Sequence, residues 1–585
     1  MLRSITKNLR QSRLISPEIR KFATSYDEVS LEDQSLFPAE EGIVQNSLYT
    51  NRILVPKCTL DQYVWSNVDK FRQKTAIECG ITGKFYTYAQ LRDRSATLAV
   101  NLIKRFGVTK GETVAVCLPN MPEFAVAALG CIESGSVIST FNPIYTSDEI
   151  SKQMINSDTK IIISTTEHYK KIAKAVEMSN MDIKIIMVKD RENASLPPNT
   201  IDFKEITDPH NMSFEILEKN RTFDPNDTVM LPYSSGTTGV AKGVELTHRN
   251  IVSNCVMLGQ NLGGETLAIE ASDTFQDVLP CVLPFFHIYG WTCTLISKLQ
   301  LGCKLVTLPA FKPDTFVDVL RNHKTTLIHL VPPIVTFMSN SADVKPDYLM
   351  SARMIMSGAA PLGRAEVERF VETKAPQVKF SQGYGLTETS PVAMMQSIGN
   401  MNFGSIGSPS PATQAKIINI EDPKMIGLGP GQSGEVLIRG PHIMKGYYKN
   451  EEATKETIVE NGWLRTGDIG YYDENFQFYI TDRMKELIKV KGFQVAPAEL
   501  ESILKCHPQI ADAAVVGVPH KTTGEAPRGF IVAKPNTKIN KEEIMNFVQE
   551  KVAPYKKLES IVIVNEIPKN ATGKIMRREI KAKYL

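Results

Sequence analysis

The feature that most constrains the fold is an alternation, from about residue 85 onward, of short apolar runs with segments of helical periodicity. In YAQLRDRSATLAVNLIKRFG, Leu91, Leu98 and Leu102 recur at helical spacing, and Gly107 is a candidate C-cap. ETVAVCLPN then predicts a buried strand, and Pro122 suits the first turn of the next helix. Runs that are apolar on both faces and separated by helices predict parallel sheets covered by helices on both sides.

The chain changes character near its C-terminal third. KIIIST, IKIIMV, KLVTLP, TLIHLVP and ARMIMSG continue the strand pattern up to residue 358. After residue 400, GSIGSPSPATQAKII and GLGPGQSGEVLIRG favour short antiparallel strands and turns, and the last hundred residues regain α/β character. With 585 residues, the chain is longer than one compact core usually accommodates, so we expect two or more domains. We expect an α/β fold with a large domain of helix-covered, mostly parallel sheets plus a small β subdomain, followed by a small α+β domain.

Composition excludes several classes of protein. Hydrophobic residues make up 42% of the chain and charged residues 22%, as in globular proteins, and a net charge of +3 does not favour nucleic-acid binding. The nine cysteines form no C-x-x-C pair, which predicts reduced core residues in an intracellular protein. The nine histidines make no metal-ligand pattern, and no apolar run is long enough to span a bilayer.

The N-terminal 25 residues, MLRSITKNLRQSRLISPEIRKFATS, are basic and contain one acid, Glu18. Leu2, Ile5 and Leu9 fall on one helical face. This amphipathic pattern predicts a mitochondrial presequence over residues 1–22, and therefore a matrix location, although a disordered basic tail has similar composition. The C-terminal KYL matches the peroxisomal S-K-L signal poorly, so the sequence favours a peroxisomal location less than a mitochondrial one.

The stretch YSSGTTGVAKG at residues 233–243 has the composition of a phosphate-binding loop. Its glycines let backbone N–H groups approach an oxyanion, its hydroxyls donate hydrogen bonds, and Lys242 adds a positive charge. It is not a Walker A loop, because Gly243 stands where magnesium needs a hydroxyl. A Ser/Gly linker has similar composition, but a linker needs neither the flanking apolar VMLPY nor the helix that THRN predicts after the loop.

Six further segments follow in order: PFFHIYG, SGAAPLG, QGYGLTETSPV, WLRTGDIGYYD, DRMKELIKVKGFQVAPAELE and PKNATGKIMRREI. Together with the glycine-rich loop, they resemble the adenylate-forming superfamily of acyl-CoA ligases, peptide-synthetase adenylation domains and beetle luciferases. The resemblance is closest to the branch that contains 4-coumarate–CoA ligases and related fatty acyl-CoA synthetases. It implies an adenylation domain at residues 23–482 and a mobile lid domain at residues 483–585, with ATP, Mg²⁺ and coenzyme A as its small molecules.

The resemblance also implies roles for the nucleotide-binding residues. Thr387 is expected at the α-phosphate, Glu388 at the magnesium ion, and Asp468 at the ribose hydroxyls. Lys574 is expected to act in adenylation, and Lys489 in thioester formation. The remaining residues expected to bind ATP or coenzyme A are Ser234, Ser235, Gly236, Thr237, Thr238, Gly239, Lys242, Ala359, Gln382, Gly383, Arg483, Lys485, Lys491, Gly492 and Gln494.

For the acid, the resemblance implies a gate at His287 and a pocket formed by Ile288, Tyr289, Gly385, Pro391 and Val392. Tyr289 either caps an aromatic ring or lines a lipid tunnel. A basic coenzyme A contact of plant relatives is replaced by Gln300, with Lys298 nearby.

The sequence thus predicts an AMP-forming acid–CoA ligase, with the matrix location favouring medium- or long-chain fatty acids. The alternatives are a 4-coumarate–CoA ligase acting on hydroxycinnamic-type acids, and an adenylation enzyme that passes its acyl group to a carrier protein. No carrier domain follows in the sequence, and Lys491 with Gly492 fits coenzyme A. The expected partners are the carboxylic acid and coenzyme A, and no nucleic-acid partner is expected.

Overall fold

The computed structural model describes residues 26–30, 42–45, 52–191, 193–209, 216–217, 224–234, 241–259, 267–360, 362–396, 402–490, 493–520, 522–535, 537–570 and 573–585. The predicted presequence, residues 1–22, lies outside the described residues.

The largest sheet is mostly parallel, as predicted. Among the described residues it has nine strands, six of which run parallel from Ile201–Asp202 at one edge to Thr228–Met230. The run ETVAVCLPN forms its central strand Thr113–Cys117, which is buried throughout. In spatial order the strands are Ile201–Asp202, Lys184–Val188, Thr159–Thr165, Thr113–Cys117, Val137–Thr140, Thr228–Met230, Lys242–Thr247 and Tyr233–Ser234, with Gly446–Tyr447 also paired to Lys242–Thr247.

Two smaller sheets continue the large domain, each with a parallel core. In one, Val278–Cys281, Lys304–Thr307 and Thr75–Cys79 run parallel, and Phe85–Thr87 closes the edge antiparallel. In the other, Leu327–Leu330, Met354–Ser357 and Lys379–Gly385 run parallel, followed by antiparallel Val392–Met395 and Ser408–Pro409. Since these strands come from the predicted apolar runs, the parallel-sheet expectation is confirmed.

Antiparallel strands dominate after residue 400, as the Gly/Pro-rich composition predicted. The described strands of this β subdomain are Val44–Gln45, Gln414–Ile418, Gly434–Arg439, Trp463–Tyr472, Ile458–Val459 and Phe478–Arg483. A final sheet contains Phe493–Val495, Ile488–Val490, Gly524–Ala533, Ile510–His520 and Ser560–Ile563. A separate antiparallel pair joins Tyr26–Ser30 to Arg52–Pro56.

Helices cover the sheets. The α-helices of the described residues are Leu60–Trp65, Tyr88–Lys104, Pro122–Glu133, Ser147–Asn156, Tyr169–Ser179, His248–Gly259, Ser297–Gln300, Pro313–Asn322, Pro332–Asn340, Arg364–Lys374, Glu451–Thr457, Pro497–Lys505, Lys541–Gln549 and Arg577–Tyr584. A π-helix spans Tyr289–Ile296, and 3₁₀ turns span Val68–Lys70, Thr166–His168, Pro346–Leu349, Thr387–Thr389, Glu460–Gly462 and Pro554–Lys556. Pro122 is at the first turn of its helix, as predicted.

The hydrophobic cores follow this division of the chain. Two large clusters fill the sheets of residues 44–478, and two others lie within residues 488–584. The predicted domain boundary at residue 482 falls inside the strand Phe478–Arg483. Eight of the cysteines are buried, but Cys506 is exposed at the end of Pro497–Lys505, so the expectation of core cysteines is wrong for that residue. Among the described residues, no helix is long and apolar enough to cross a membrane.

Candidate active site

The candidate site lies at the carboxyl ends of the parallel strands Leu327–Leu330, Met354–Ser357 and Lys379–Gly385, where α/β sheets commonly bind ligands. The motifs SGAAPLG and QGYGLTETSPV begin there, because each follows or ends one of these strands. The β subdomain brings the WLRTGDIGYYD segment to the same edge.

Asp468 is the electrostatic centre of the site. Its carboxylate is 3% exposed, accepts a 2.6 Å hydrogen bond from the Tyr384 hydroxyl, and lies 3.1 Å from Arg483 Nε. Burial raises the pKa of Asp468, while Arg483 and Tyr384 act in the opposite direction by stabilising the charged form. A buried carboxylate held in this way can accept hydrogen bonds from a pair of hydroxyls.

Local structure fixes the orientation of Asp468. Gly467 has φ +69°, a conformation that favours glycine, and the backbone N–H of Asp468 donates to Thr466 Oγ1 at 3.0 Å. Asp468 and Arg483 are directly opposed in the antiparallel pairing of Trp463–Tyr472 with Phe478–Arg483. The two predicted residues are therefore neighbours across the strands.

Lys574 approaches the same group from the C-terminal domain. Its backbone N–H donates to Asn570 Oδ1 at 2.9 Å, and an adjacent bridge joins Lys569 to Ile575. A Cβ on Gly573, which has φ +80°, would lie 2.7 Å from Cγ of Pro333, so this turn packs closely against Pro332–Asn340. Burial lowers the pKa of Lys574, and the positive charge of Arg483 adds to this, whereas Glu486 and Asp468 oppose it.

Glu388 lies on the opposite flank of the site. Its Oε1 accepts hydrogen bonds from Ser234 Oγ at 3.0 Å and from the Tyr447 hydroxyl at 2.9 Å. Lys242 Nζ lies 4.7 Å from the centre of the Tyr447 ring, a cation–π contact. Thr387 precedes Glu388 in the 3₁₀ turn. A carboxylate beside phosphate-binding side chains is the donor type that Mg²⁺ prefers, so Glu388 fits the ion.

The phosphate loop itself is only partly described. Ser234 and Lys242 are opposed in an antiparallel pair, so they flank the loop on either side. Ser235, Gly236, Thr237, Thr238 and Gly239 lie outside the described residues, as do Lys491 and Gly492 and the side chain of Gln494. The helix predicted after the loop begins at His248, but the strand Lys242–Thr247 intervenes, which the sequence interpretation missed.

The acid side of the site is built around the π-helix Tyr289–Ile296. The His287 Nδ1 accepts the backbone N–H of Tyr289 at 3.2 Å, and burial lowers the pKa of His287 to about 4, so its ring is neutral at pH 7. Ile288 is 2% exposed. A Cβ on Gly290 would overlap the carbonyl oxygen of Pro284, so only glycine allows this close approach.

Glycines line the slot beside Tyr289, where the backbone approaches the tyrosine ring closely. A Cβ on Gly358 would lie 3.3 Å from the Gly383 carbonyl oxygen and 3.4 Å from Cε1 of Tyr289. A Cβ on Gly385 would overlap the carbonyl of Pro391, so these two backbone segments lie in close contact. Val392, which follows Pro391, is 9% exposed.

The ligand-binding residues predicted from SGAAPLG and QGYG lie on the same edge. Ala359 adopts φ +71°, a strained conformation of the kind that clusters at ligand sites. Gln382 is anchored by a 2.7 Å hydrogen bond from Nε2 to the carbonyl of Phe403.

Three residues of the segment 482–489, which leads into the C-terminal domain, point away from this cluster. Lys485 and Lys489 are exposed, and the backbone N–H of Lys489 donates to Glu525 at 2.8 Å. Asp482 accepts a hydrogen bond from the backbone N–H of Ala498 at 2.8 Å, so its carboxylate faces the helix Pro497–Lys505. The structure therefore brings Lys574, and not Lys489, to the Asp468 carboxylate.

Two residues of the site were missed from sequence. Tyr384 and Tyr447 each donate a hydrogen bond to a predicted site carboxylate, Asp468 and Glu388 respectively. Tyr384 lies inside the QGYG motif, where a buried tyrosine hydroxyl needs a partner. Tyr447 stands 59 residues from Glu388, and no local pattern joins them.

Comparison with known proteins agrees with this geometry. Residues 64–448 match the AMP-binding enzyme family, and residues 499–574 match the AMP-binding enzyme C-terminal domain. The chain is 37% identical over 532 residues to 4-coumarate–CoA ligase 1 of Arabidopsis thaliana, covering 90% of this chain and 92% of the relative. It is 39% identical over 530 residues to 4-coumarate–CoA ligase 2 of Nicotiana tabacum, covering 90% and 94%.

Among solved structures, ATP-bound MatB from Rhodopseudomonas palustris superposes with a TM-score of 0.79 at 25% identity, covering 90% of this chain and 98% of that one. The fold and site define an adenylate-forming ligase, and the chain belongs to the AMP-binding enzyme family. It is an AMP-forming acid–CoA ligase that uses ATP and coenzyme A, with the Mg²⁺ that the family generally requires.

Proposed function

We propose that the acid is aromatic and of the hydroxycinnamic type. The observation that carries the proposal is the position of the Tyr289 ring against the glycine backbone of Gly358, where a Cβ on Gly358 would lie 3.4 Å from Cε1 of Tyr289. Relatives that are 37–39% identical over 90% of this chain are named 4-coumarate–CoA ligases, which favours this alternative over the fatty acid preferred from sequence. A ring stacked on Tyr289 gains contact area together with aromatic attraction.

In the proposed first step, the acid's carboxylate attacks the α-phosphorus of ATP. An acyl-adenylate forms and pyrophosphate leaves. Lys574 places its positive charge near the reacting oxygens, and Asp468 accepts hydrogen bonds from the ribose hydroxyls. Ser234 and Lys242 flank the loop that receives the departing phosphates. Glu388 would hold Mg²⁺, which would supply positive charge that neutralises the phosphates, and the protein otherwise acts by positioning.

In the proposed second step, the coenzyme A thiolate attacks the acyl carbonyl and AMP leaves. Lys489 is exposed in the arrangement described, whereas Lys574 faces the Asp468 cluster. We therefore assign this arrangement to adenylation. Thioester formation then requires the C-terminal domain to rotate about the segment after Arg483, which exchanges Lys574 for Lys489. Such domain motions commonly limit turnover.

The test is coenzyme-A-dependent AMP release with a panel of acids: acetate, octanoate, palmitate, benzoate, cinnamate and 4-coumarate. We expect kcat/KM to be highest for an aromatic acid with a propenoate side chain. A matched substitution, Gly358→Ala, narrows the slot and should lower kcat/KM for cinnamates more than for octanoate. A maximum at octanoate or palmitate would contradict the aromatic proposal while preserving the ligase reaction. Acyl transfer to a carrier protein in place of coenzyme A would contradict the ligase reaction.

The mitochondrial matrix remains our proposal for location. It rests on the basic, amphipathic residues 1–22. A fluorescent protein fused after residue 30 should enter mitochondria, and Arg-to-Glu changes at Arg3, Arg10 and Arg13 should prevent import. Peroxisomal targeting that depends on the C-terminal three residues would contradict the proposal.

A further inference from the structure

The inner end of the acyl pocket contains polar groups whose hydrogen-bonding capacity is unused. The Tyr289 hydroxyl lies 3.5 Å from His329 Nδ1, with the two rings edge to face at a centroid separation of 5.9 Å. A separation of 3.5 Å is at the limit of hydrogen bonding, so the hydroxyl can still bind a better-placed acceptor.

His329 faces this pocket from the adjoining sheet. It is 2% exposed and is paired in parallel register with Met356 on the neighbouring strand. A Cβ on Gly383 would lie 3.8 Å from Cε of Met356, which places that side of the sheet next to the slot. Within the described part of the chain, His329 Nε2 is buried without a hydrogen-bond partner. An orphaned ring nitrogen at this depth is costly unless a ligand satisfies it.

Lys298 is buried behind Tyr289. A π-helix repeats its faces roughly every four to five residues, so Tyr289, Cys293 and Lys298 follow one another along one face. Lys298 is 1% exposed, and among the described residues its ammonium has neither a hydrogen-bond acceptor nor a counter-ion. Burial lowers the pKa of His329, and the positive charge of Lys298 lowers it further.

A carboxylate in the same region is already committed elsewhere. Asp277 accepts hydrogen bonds from Arg353 Nη2 and Thr326 Oγ1, each at 2.6 Å.

Lys298 is too buried to meet a coenzyme A phosphate at the surface. Gln300, the position of the expected contact, is 8% exposed and donates to Ser66 Oγ at 3.3 Å. Neither residue is placed for the coenzyme A role considered from sequence.

A buried ammonium without a counter-ion is strongly unfavourable, and an anion brought by the substrate would neutralise it. The hydroxyl of Tyr289, the Nε2–H of His329 and the ammonium of Lys298 can each donate to an acceptor. A carboxylate offers two oxygens and a negative charge, which matches three donors of which one is cationic.

We propose that Tyr289, His329 and Lys298 form a carboxylate-binding end of the acyl pocket, which selects acids that carry a second carboxylate at the end distal to the reacting one. The inference rests on the proposed function, because it takes this slot as the pocket for the acid. It keeps the aromatic propenoate scaffold of that function and assigns a carboxylate in place of the hydroxyl as the distal group.

The experiment compares matched pairs of acids: 4-carboxycinnamate with cinnamate, and octanedioate with octanoate. In the wild type, kcat/KM should be at least about tenfold higher for the dicarboxylate of the preferred scaffold, which corresponds to ~1.4 kcal/mol. Lys298→Met should reduce this ratio to one or below while leaving the parent monoacid within about threefold. His329→Leu should reduce the ratio independently, in case the lysine variant folds poorly. Lys416→Met, which removes a buried lysine of the β subdomain, should leave the ratio unchanged.

Each outcome is decisive for one of the two proposals. A wild-type preference for the monoacid, or for 4-coumarate over 4-carboxycinnamate, would overturn the carboxylate site. An equal ratio in wild type and Lys298→Met would overturn it as well. If octanedioate and octanoate are the active pair, the aromatic proposal fails and the distal site is still tested on that pair. If no acid turns over, calorimetric binding of 4-carboxycinnamate decides, and equal affinity for wild type and Lys298→Met would overturn the site.

Discussion

Arg483 Nε lies 3.1 Å from Asp468 Oδ1, and the two residues are opposed at the ends of paired strands. Arg483 is also the last residue of its strand, immediately before the segment that leads into the C-terminal domain. The ion pair therefore joins the carboxylate that we assign to the ribose with the point about which we propose the C-terminal domain turns. Any ligand that changes the hydrogen bonds of Asp468 changes the environment of Arg483.

Removing the hydroxyl of Tyr384 tests the role of Asp468. Tyr384→Phe deletes the 2.6 Å hydrogen bond to that carboxylate but keeps the ring. We expect the KM for ATP to rise about tenfold, because a hydrogen bond to a charged group is worth ~1.5 kcal/mol or more. The KM for the acid should change little. Initial rates of AMP release at varied ATP measure the effect.

Tyr479→Phe is the matched control for Tyr384→Phe. Its hydroxyl lies 3.0 Å from Asp473 on the solvent side of the same β subdomain. This variant should keep the wild-type KM for ATP. Equal effects of the two substitutions would mean that Tyr384 supports the subdomain and does not position Asp468.

Separating the two half-reactions tests the exchange of lysines. Lys574→Met should lower the rate of acyl-adenylate formation by about 10²–10³, the usual loss when one preorganised donor to a developing charge is removed. It should leave the conversion of a synthetic acyl-adenylate to the thioester within about twofold. Lys489→Met should have the opposite pattern. If Lys574→Met slows both half-reactions equally, the C-terminal domain does not exchange one lysine for the other.

The close approach of Gly385 to Pro391 gives a prediction about stability. A Cβ at residue 385 would overlap the carbonyl oxygen of Pro391, whereas a Cβ at Gly363 meets nothing within 4 Å. Gly385→Ala should lower the free energy of unfolding by about 1–3 kcal/mol through overpacking, and Gly363→Ala should change it by less than about 0.5 kcal/mol. Urea denaturation of the full chain measures both. A smaller effect at residue 385 than at residue 363 would contradict the packing argument.

Much of the fold could be predicted because it depends on local patterns. Thr113–Cys117 and Pro122–Glu133 follow from an apolar run and from a proline at a helix start. The strand Lys242–Thr247 could not be predicted in the same way, since its sequence KGVELT has few apolar residues. Its pairing partners come from distant parts of the chain, Thr228–Met230 and Gly446–Tyr447.

The same distinction between local patterns and distant contacts separates the site residues that were predicted from those that were missed. Residues inside contiguous motifs, such as Glu388 and Asp468, were found because the motif fixes their chemistry. Tyr447 was missed because it reaches Glu388 only when the distant strand Gly446–Tyr447 pairs with Lys242–Thr247 in the largest sheet. His329 and Lys298 carry no motif, and only burial without partners distinguishes them from ordinary polar residues.

Buried histidines predict how stability depends on pH. His442 is fully buried, and neither ring nitrogen has a hydrogen-bond partner among the described residues, so burial lowers its pKa to about 3. In the unfolded chain the pKa is about 6.5. Between these values the unfolded state binds the proton and the folded state does not, so stability is lost as pH falls from about 6.5 toward 3. At pH 4 this one histidine lowers the free energy of unfolding by about 3 kcal/mol relative to pH 7.

His442→Leu removes this titration while roughly conserving volume. We expect the variant and the wild type to have similar free energies of unfolding at pH 7.5. At pH 4, the free energy of unfolding of the variant should exceed that of the wild type by about 3 kcal/mol. His248 and His287, whose pKa values burial lowers to about 4, keep part of the acid sensitivity in the variant. Urea midpoints between pH 4 and 7.5 provide the measurement. Parallel pH profiles for the two proteins would show that His442 is protonated or exposed in the folded state, contrary to its position in the structure.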